Sequence, residues 1–166
     1  MFKFGNKSIR ELQGVYNPLV SLCLYTIKVS PVDFSVHDGI RTPQEQAALV
    51  AAGASKTLAS YHLPNMLRPH GKMILDMGQA VDLVPYINGK LRWEWDPIYT
   101  VIETACGFLP QLPHDHKIRW GGVWDRTLDQ LDPKNLHKEI EAYTHRMKLL
   151  GKRAFCDGPH LQIEVY

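Results

Sequence analysis

A carboxylate inside the most strand-like run of this chain restricts how the chain can fold. Ala80-Val81-Asp82-Leu83-Val84 is short, apolar and rich in β-formers, and Asn88-Gly89 beyond it is a strong hairpin-turn signal. An aspartate in such a run is costly to bury unless it is paired or binds a cation. Any fold that uses this strand must therefore bring partners for Asp82 from elsewhere in the sequence.

The remaining elements can be read around that strand. Ser8-Ile9-Arg10-Glu11 has the form of a capping box, and Leu12, Val15, Leu19, Leu22, Cys23 and Ile27 follow at helical spacing, predicting one amphipathic helix that ends before Pro31. Val32, Phe34 and Val36 alternate as in a half-buried strand. Thr42-Pro43-Gln44-Glu45 opens a helix through Ala52 that stops at Gly53. Asp96-Pro97 opens another through about Ala105. Ile118-Arg119-Trp120 reads as a strand, and Asp132-Pro133 starts a helix ending at Gly151. Leu161 to Val165 alternates as an edge-compatible strand would. No repeat, low-complexity tract or linker divides the chain. Helices mixed with short, mostly antiparallel strands predict a single α+β domain over residues 1–166.

Composition narrows the function classes. At 166 residues the chain can bury a core without metal or disulfide staples. A net charge of +2 with no concentrated Lys/Arg patch argues against nucleic acid as a partner. No stretch is long and apolar enough to insert in a membrane, and the N-terminus lacks a signal-peptide core. The expectation is a cytoplasmic product acting as a monomer. Cys23, Cys106 and Cys156 show no CxxC spacing and read as reduced thiols.

Eight histidines are scattered along the sequence, and their surroundings separate them. In Asp157-Gly158-Pro159-His160 a tight turn leads into the last strand, so that the acid and the imidazole can face one cleft. One carboxylate with two imidazoles is a suitable set for a catalytic zinc ion, with the fourth position left to water. Unrelated polar residues are the alternative. His114 and His116 read as an exposed loop, and His37, His137 and His145 as surface residues.

Four ordered motifs carry a family resemblance. Ser60-Tyr61-His62, Gly78-Gln79-Ala80-Val81-Asp82-Leu83, Trp120-Gly121-Gly122-Val123-Trp124 and Asp157-Gly158-Pro159-His160-Leu161-Gln162 resemble the signature of the zinc D-Ala-D-Ala carboxypeptidase/L-alanyl-D-glutamate peptidase family. Phe2-Lys3-Phe4-Gly5 and Asp38-Gly39-Ile40-Arg41-Thr42 resemble its phage endolysin branch. The resemblance implies a fold of the Hedgehog/DD-peptidase kind and one Zn²⁺ held by His62, Asp82 and His160, with Asp157 as catalytic base. It also implies substrate binding by Arg41, whose alternative is a solvated residue before a helix cap. Ser60 and Trp120 are further substrate-side candidates, Ser60 as a donor to substrate, a residue orienting a ligand or a loop serine. Arg41 suits a substrate carboxylate, because a guanidinium binds one through paired hydrogen bonds. Trp120 and Trp124 either line the cleft floor or pack within the Gly-Gly turn.

The spacing departs from the family pattern in two places. His62 and Asp82 are separated by an apparent insertion, 63–77, which carries a second candidate ligand, His70. A second apparent insertion spans about 126–153. His62 is preferred because it keeps the Ser60-Tyr61-His62 context, whereas His70 lies between Pro69 and Gly71. The resemblance implies a phage-type endolysin that cuts the L-Ala–D-Glu bond of bacterial peptidoglycan, waiting in the host cytoplasm until a membrane pore releases it. The alternatives are a D,D- or L,D-carboxypeptidase and an inactive cell-wall-binding module.

Overall fold

Alternation along β5 (His160–Val165) has an outcome different from the expected one, and it organises the molecule. In the computed structural model, which describes residues 1–166, this strand is not an edge. It lies between β2 (Ala80–Ile87) and β4 (His116–Trp120), in the sheet order β1-β2-β5-β4, with β1 spanning Phe34–Asp38. All of these pairings are antiparallel, and the short β3 (Lys90–Leu91) folds back on β2 through the Asn88-Gly89 turn. Every residue of β5 is buried. Leu161 and Ile163 enter the main core, while His160, Gln162 and Glu164 alternate onto the other face. The polar positions are covered and hydrogen-bonded, as a central strand requires.

The N-terminal helix is also divided. It forms as α1 (Asn6–Glu11) and α2 (Asn17–Val29), with Gly14 between them at φ +80°. Ser8 is no cap: it sits inside α1, and its hydroxyl accepts from Val36 N at 3.1 Å, tying the helix to β1. The Thr42 cap is as expected. It forms a complete capping box with Glu45 at the start of α3 (Pro43–Ala51). Pro133–Asn135 forms a 3-10 turn before α5 (Leu136–Leu149) takes over.

Leu19, Leu22, Cys23 and Ile27 of α2 join Ile98, Val101 and Ile102 of α4 (Trp95–Cys106) and the apolar face of the sheet in one core. This is the expected single α+β arrangement. It leaves the opposite sheet face, which carries Asp82 and His160, to be covered by the connection from α3 to β2. Gly71 lies against the backbone of Val165, and Lys72 N donates to Val165 O at 2.6 Å. The 63–77 segment thereby closes over the end of β5.

Candidate metal centre

Asp82 and His160 stand directly opposite each other in the β2–β5 register, so both side chains leave the sheet on the same face. His62 reaches them from the α3–β2 connection. Its backbone is held on both sides: Arg41 N donates to His62 O at 3.0 Å, and Gln79 N donates to Tyr61 O at 2.7 Å. Three potential ligand atoms converge as a result. His62 Nε2 lies 3.3 Å from His160 Nδ1 and 3.3 Å from Asp82 Oδ1, and the third side of the triangle is 3.1 Å. Tetrahedral zinc with bonds of about 2.0–2.1 Å needs ligand atoms about 3.3 Å apart. The triangle fits that requirement, and these residues can hold a metal ion.

The outward-facing atoms of the same three side chains are also occupied. His62 Nδ1 lies 2.6 Å from the carbonyl of Gly39, which can only accept, so this nitrogen carries the proton and Nε2 presents its lone pair. His160 Nε2 lies 3.2 Å from Gln162 Oε1, and Arg41 Nη2 donates to Asp82 Oδ2 at 2.9 Å. Such outer partners fix ring orientation and tautomer at metal sites. Gly39 is required for its own reason. A Cβ there would meet Glu11 O at 1.8 Å, so only glycine lets the carbonyl approach His62.

The electrostatics follow from the same contacts. Burial alone would raise the Asp82 carboxyl, but the charge and hydrogen bonds of His62 and His160 hold it well below the usual carboxylate range. Burial opposes charge on His160, yet the hydrogen bond and charge of Asp82 raise this imidazole overall. Asp157 is shifted the other way. Burial and then the negative charge of Asp82 push its carboxyl up. A carboxylate with raised affinity for a proton beside a metal-competent triangle is suited to proton transfer. Its turn packs tightly on the end of β4, where a Cβ on Gly121 would meet Asp157 O at 2.3 Å.

A cavity of about 470 Å³ opens over the triangle and is lined by Arg41, Ser60, Asp157 and the three potential ligands. Three of the five N–H groups of Arg41 are engaged by Asp38, Gln46 and Asp82, which leaves two. A second cavity, of about 340 Å³, shares Thr57, Ser60, Trp124 and His160 with the first and continues past Tyr61 to Pro69 and His70. The hollow space therefore continues from the triangle past His160 toward the 63–77 segment.

Not every expected residue is at the site. Trp120 is fully buried and lines neither cavity; its Nε1 donates to Gly158 O at 2.6 Å, and it packs edge-on against Trp95 and Tyr99. It supports the Asp157–His160 turn from behind and does not reach the substrate side. Trp124, by contrast, lines both cavities and tilts over His160. His70 is outside the triangle, and its carbonyl accepts from Tyr61 Oη at 2.7 Å. His116 is buried, between Tyr16 Oη at 2.9 Å and Asp115 Oδ1 at 2.8 Å, and not on an exposed loop. His37 is a cleft residue, packed edge-on against Trp93. A signal for it was present in sequence, since it directly precedes Asp38 and Gly39 at the end of β1.

Known proteins resemble this chain over nearly its whole length. The family model described as phage L-alanyl-D-glutamate peptidase matches residues 1–163. The chain belongs to this family. A relative, the L-alanyl-D-glutamate peptidase of Escherichia phage T5, is 29% identical over 164 residues, covering 98% of both chains. Among solved structures, the L-Ala D-Glu endopeptidase ChiX of Serratia marcescens is similar, with a TM-score of 0.61 and 27% identity over 96% of this chain and 89% of that one. Family membership agrees with the phage-branch resemblance of the sequence and with the observed α+β fold.

Proposed function

We propose that this protein is a phage endolysin that hydrolyses the L-Ala–D-Glu bond of peptidoglycan stem peptides, with one zinc ion held by His62, Asp82 and His160. The observation that carries the metal reading is the triangle of ligand atoms 3.1–3.3 Å apart whose outward-facing atoms are all engaged by other groups. The bond is inferred from the family and from the two relatives named for it. The zinc ion, when bound, supplies a Lewis acid that acidifies water and polarises a carbonyl. Asp157 takes the proton of the attacking water on its carboxylate and returns it to the departing amine. The two free N–H groups of Arg41 bind a substrate carboxylate, and Ser60 contributes a hydroxyl at the junction of the two cavities.

A second cavity that adjoins the first at Ser60, Trp124 and His160 favours an endopeptidase over a carboxypeptidase, because an endopeptidase must accommodate chain beyond the cleaved bond in both directions. No helix is long and apolar enough to cross a membrane, so reaching the wall through a separately made pore fits the proposal. The 63–77 and 126–153 segments are read as additions to one catalytic domain. Mass spectrometry of digested peptidoglycan tests the function directly. A new D-Glu amino terminus is expected, and release of terminal D-Ala alone would establish the carboxypeptidase reading instead.

A further inference from the structure

We infer that Gln162, Glu164 and Arg119 form a buried relay that sets the tautomer and orientation of His160, making Gln162 and Glu164 positioning residues for the metal centre. The inference rests on the reading of the His62/Asp82/His160 triangle as that centre. Glu164 is fully buried, and both of its oxygens are saturated. Oε1 accepts from Arg119 Nε at 2.6 Å and from Gln162 Nε2 at 2.9 Å. Oε2 accepts from Arg119 Nη2 at 3.0 Å and from Tyr166 Oη at 2.7 Å. A carboxylate facing a bidentate guanidinium is ionised and can only accept.

That condition passes along the strand without ambiguity. Because Glu164 can only accept, the Gln162 amide must turn its NH₂ toward it. The amide oxygen then faces His160 Nε2 at 3.2 Å, which must carry a proton to donate. In the neutral ring the lone pair is left on Nδ1, the atom 3.1 Å from Asp82 Oδ1 and 3.3 Å from His62 Nε2. The period of two along β5 puts His160, Gln162 and Glu164 in a row, and the β4 register sets Arg119 opposite Gln162. Arg119 Nη1 also donates to the backbone carbonyl of Trp124 at 2.8 Å, so the same residue holds the main chain of the tryptophan whose indole tilts over His160. A buried polar row with every member satisfied is rigid, and a partly satisfied one is costly. This accounts for a central strand in which half the side chains are polar.

The test is zinc affinity of the full-length protein, measured by chelator competition with zinc alone, for Gln162→Met, Glu164→Gln and the double variant. Gln162→Met keeps the volume and removes the link, and should weaken zinc binding roughly 10–100-fold. Glu164→Gln touches no cleft atom but frees the amide to turn, and should weaken binding several-fold. If the two act through one relay, the double variant binds no more weakly than Gln162→Met alone. For Glu164→Gln, which lines neither cavity, KM for a soluble stem peptide should stay within about twofold while kcat at limiting zinc falls. Wild-type affinity in Gln162→Met, or losses that add in full in the double variant, would overturn the relay. Should Gln162→Met not fold, unchanged zinc affinity in Glu164→Gln overturns it as well. A wild-type protein that binds no zinc removes the metal reading and the relay together, whereas wild-type binding with unaffected variants removes the relay alone.

Discussion

Arg41 Nη2 donates to one oxygen of Asp82 at 2.9 Å, and the other oxygen of that carboxylate stands 3.1 Å from His160 Nδ1. The carboxylate is thus divided between a guanidinium and the imidazole pair. Arg41 is itself held by Asp38 at 2.6 Å and Gln46 at 3.1 Å, which fixes the rotation of Asp82 from outside the triangle. Arg41→Lys keeps the charge and loses the fork. Zinc affinity is expected to fall by roughly 10–100-fold in chelator competition. Unchanged affinity would show that pairing within the sheet is enough to aim Asp82.

Removing the metal should abolish wall lysis, and zinc should restore it. Within the protein, His62→Ala should lose both zinc and activity, while His70→Ala retains zinc, since His70 lies outside the triangle. Elemental analysis of the purified variants checks this. The reverse pattern would assign the ligand to the 63–77 segment.

Asp157→Asn should keep the metal and lose most turnover, about 10²–10⁴-fold, the usual contribution of a general base. Zinc content and peptidoglycan turnover are measured on the same preparation. Loss of zinc would make Asp157 a ligand, and near-normal turnover would exclude it as the base.

Acid should weaken the fold partly through Glu164. Burial alone would raise this carboxyl, but Arg119, with Tyr166 and Gln162, holds it below the ordinary range. A lowered folded pKa contributes stability that is fully present above the unfolded value, about 4.3, and is lost as pH falls through the folded value. Urea midpoints of metal-free wild type and Glu164→Gln should therefore differ at about pH 7 and converge below about pH 4. A constant gap across that range would mean that the carboxylate charge contributes nothing.

Gly39→Ala should destabilise the protein by about 1–3 kcal/mol, as overpacking does, and weaken zinc binding by moving the carbonyl that holds His62. Denaturant unfolding and chelator competition measure the two effects separately. A stable variant with normal affinity would mean that the α1 terminus yields freely.

Much of this was legible in local sequence, and the failures share a cause. The Thr42 capping box, the Asn88-Gly89 turn and the half-buried acid of β2 are determined by residues within a few positions of one another. The break at Gly14 was hidden, because apolar spacing continues through it from Leu12 to Leu19. The strand of Gln162 and Glu164 read as edge-compatible because Arg119, which lies far away in sequence, is what makes their burial in a central strand tolerable. His116 was misread for the same reason, its partner Tyr16 being a hundred residues away. Asp82 declared that it needed partners, and the ordered motifs pointed to His62 and His160; the spacing of the three atoms could come only from the folded chain.

The 63–77 segment leaves and re-enters the fold at a single place. Tyr61 O receives Gln79 N at 2.7 Å, and His62 O receives Arg41 N at 3.0 Å, so the detour begins and ends on a fixed hinge-post. Between those ends the span is fastened again, by Arg68 to Ser60 O and Gln79, by Tyr61 Oη to His70 O and by Lys72 N to Val165 O. The detour is thus a strap buckled along its length, and the wall of the second cavity at Pro69 and His70 is held as firmly as the ligand it follows.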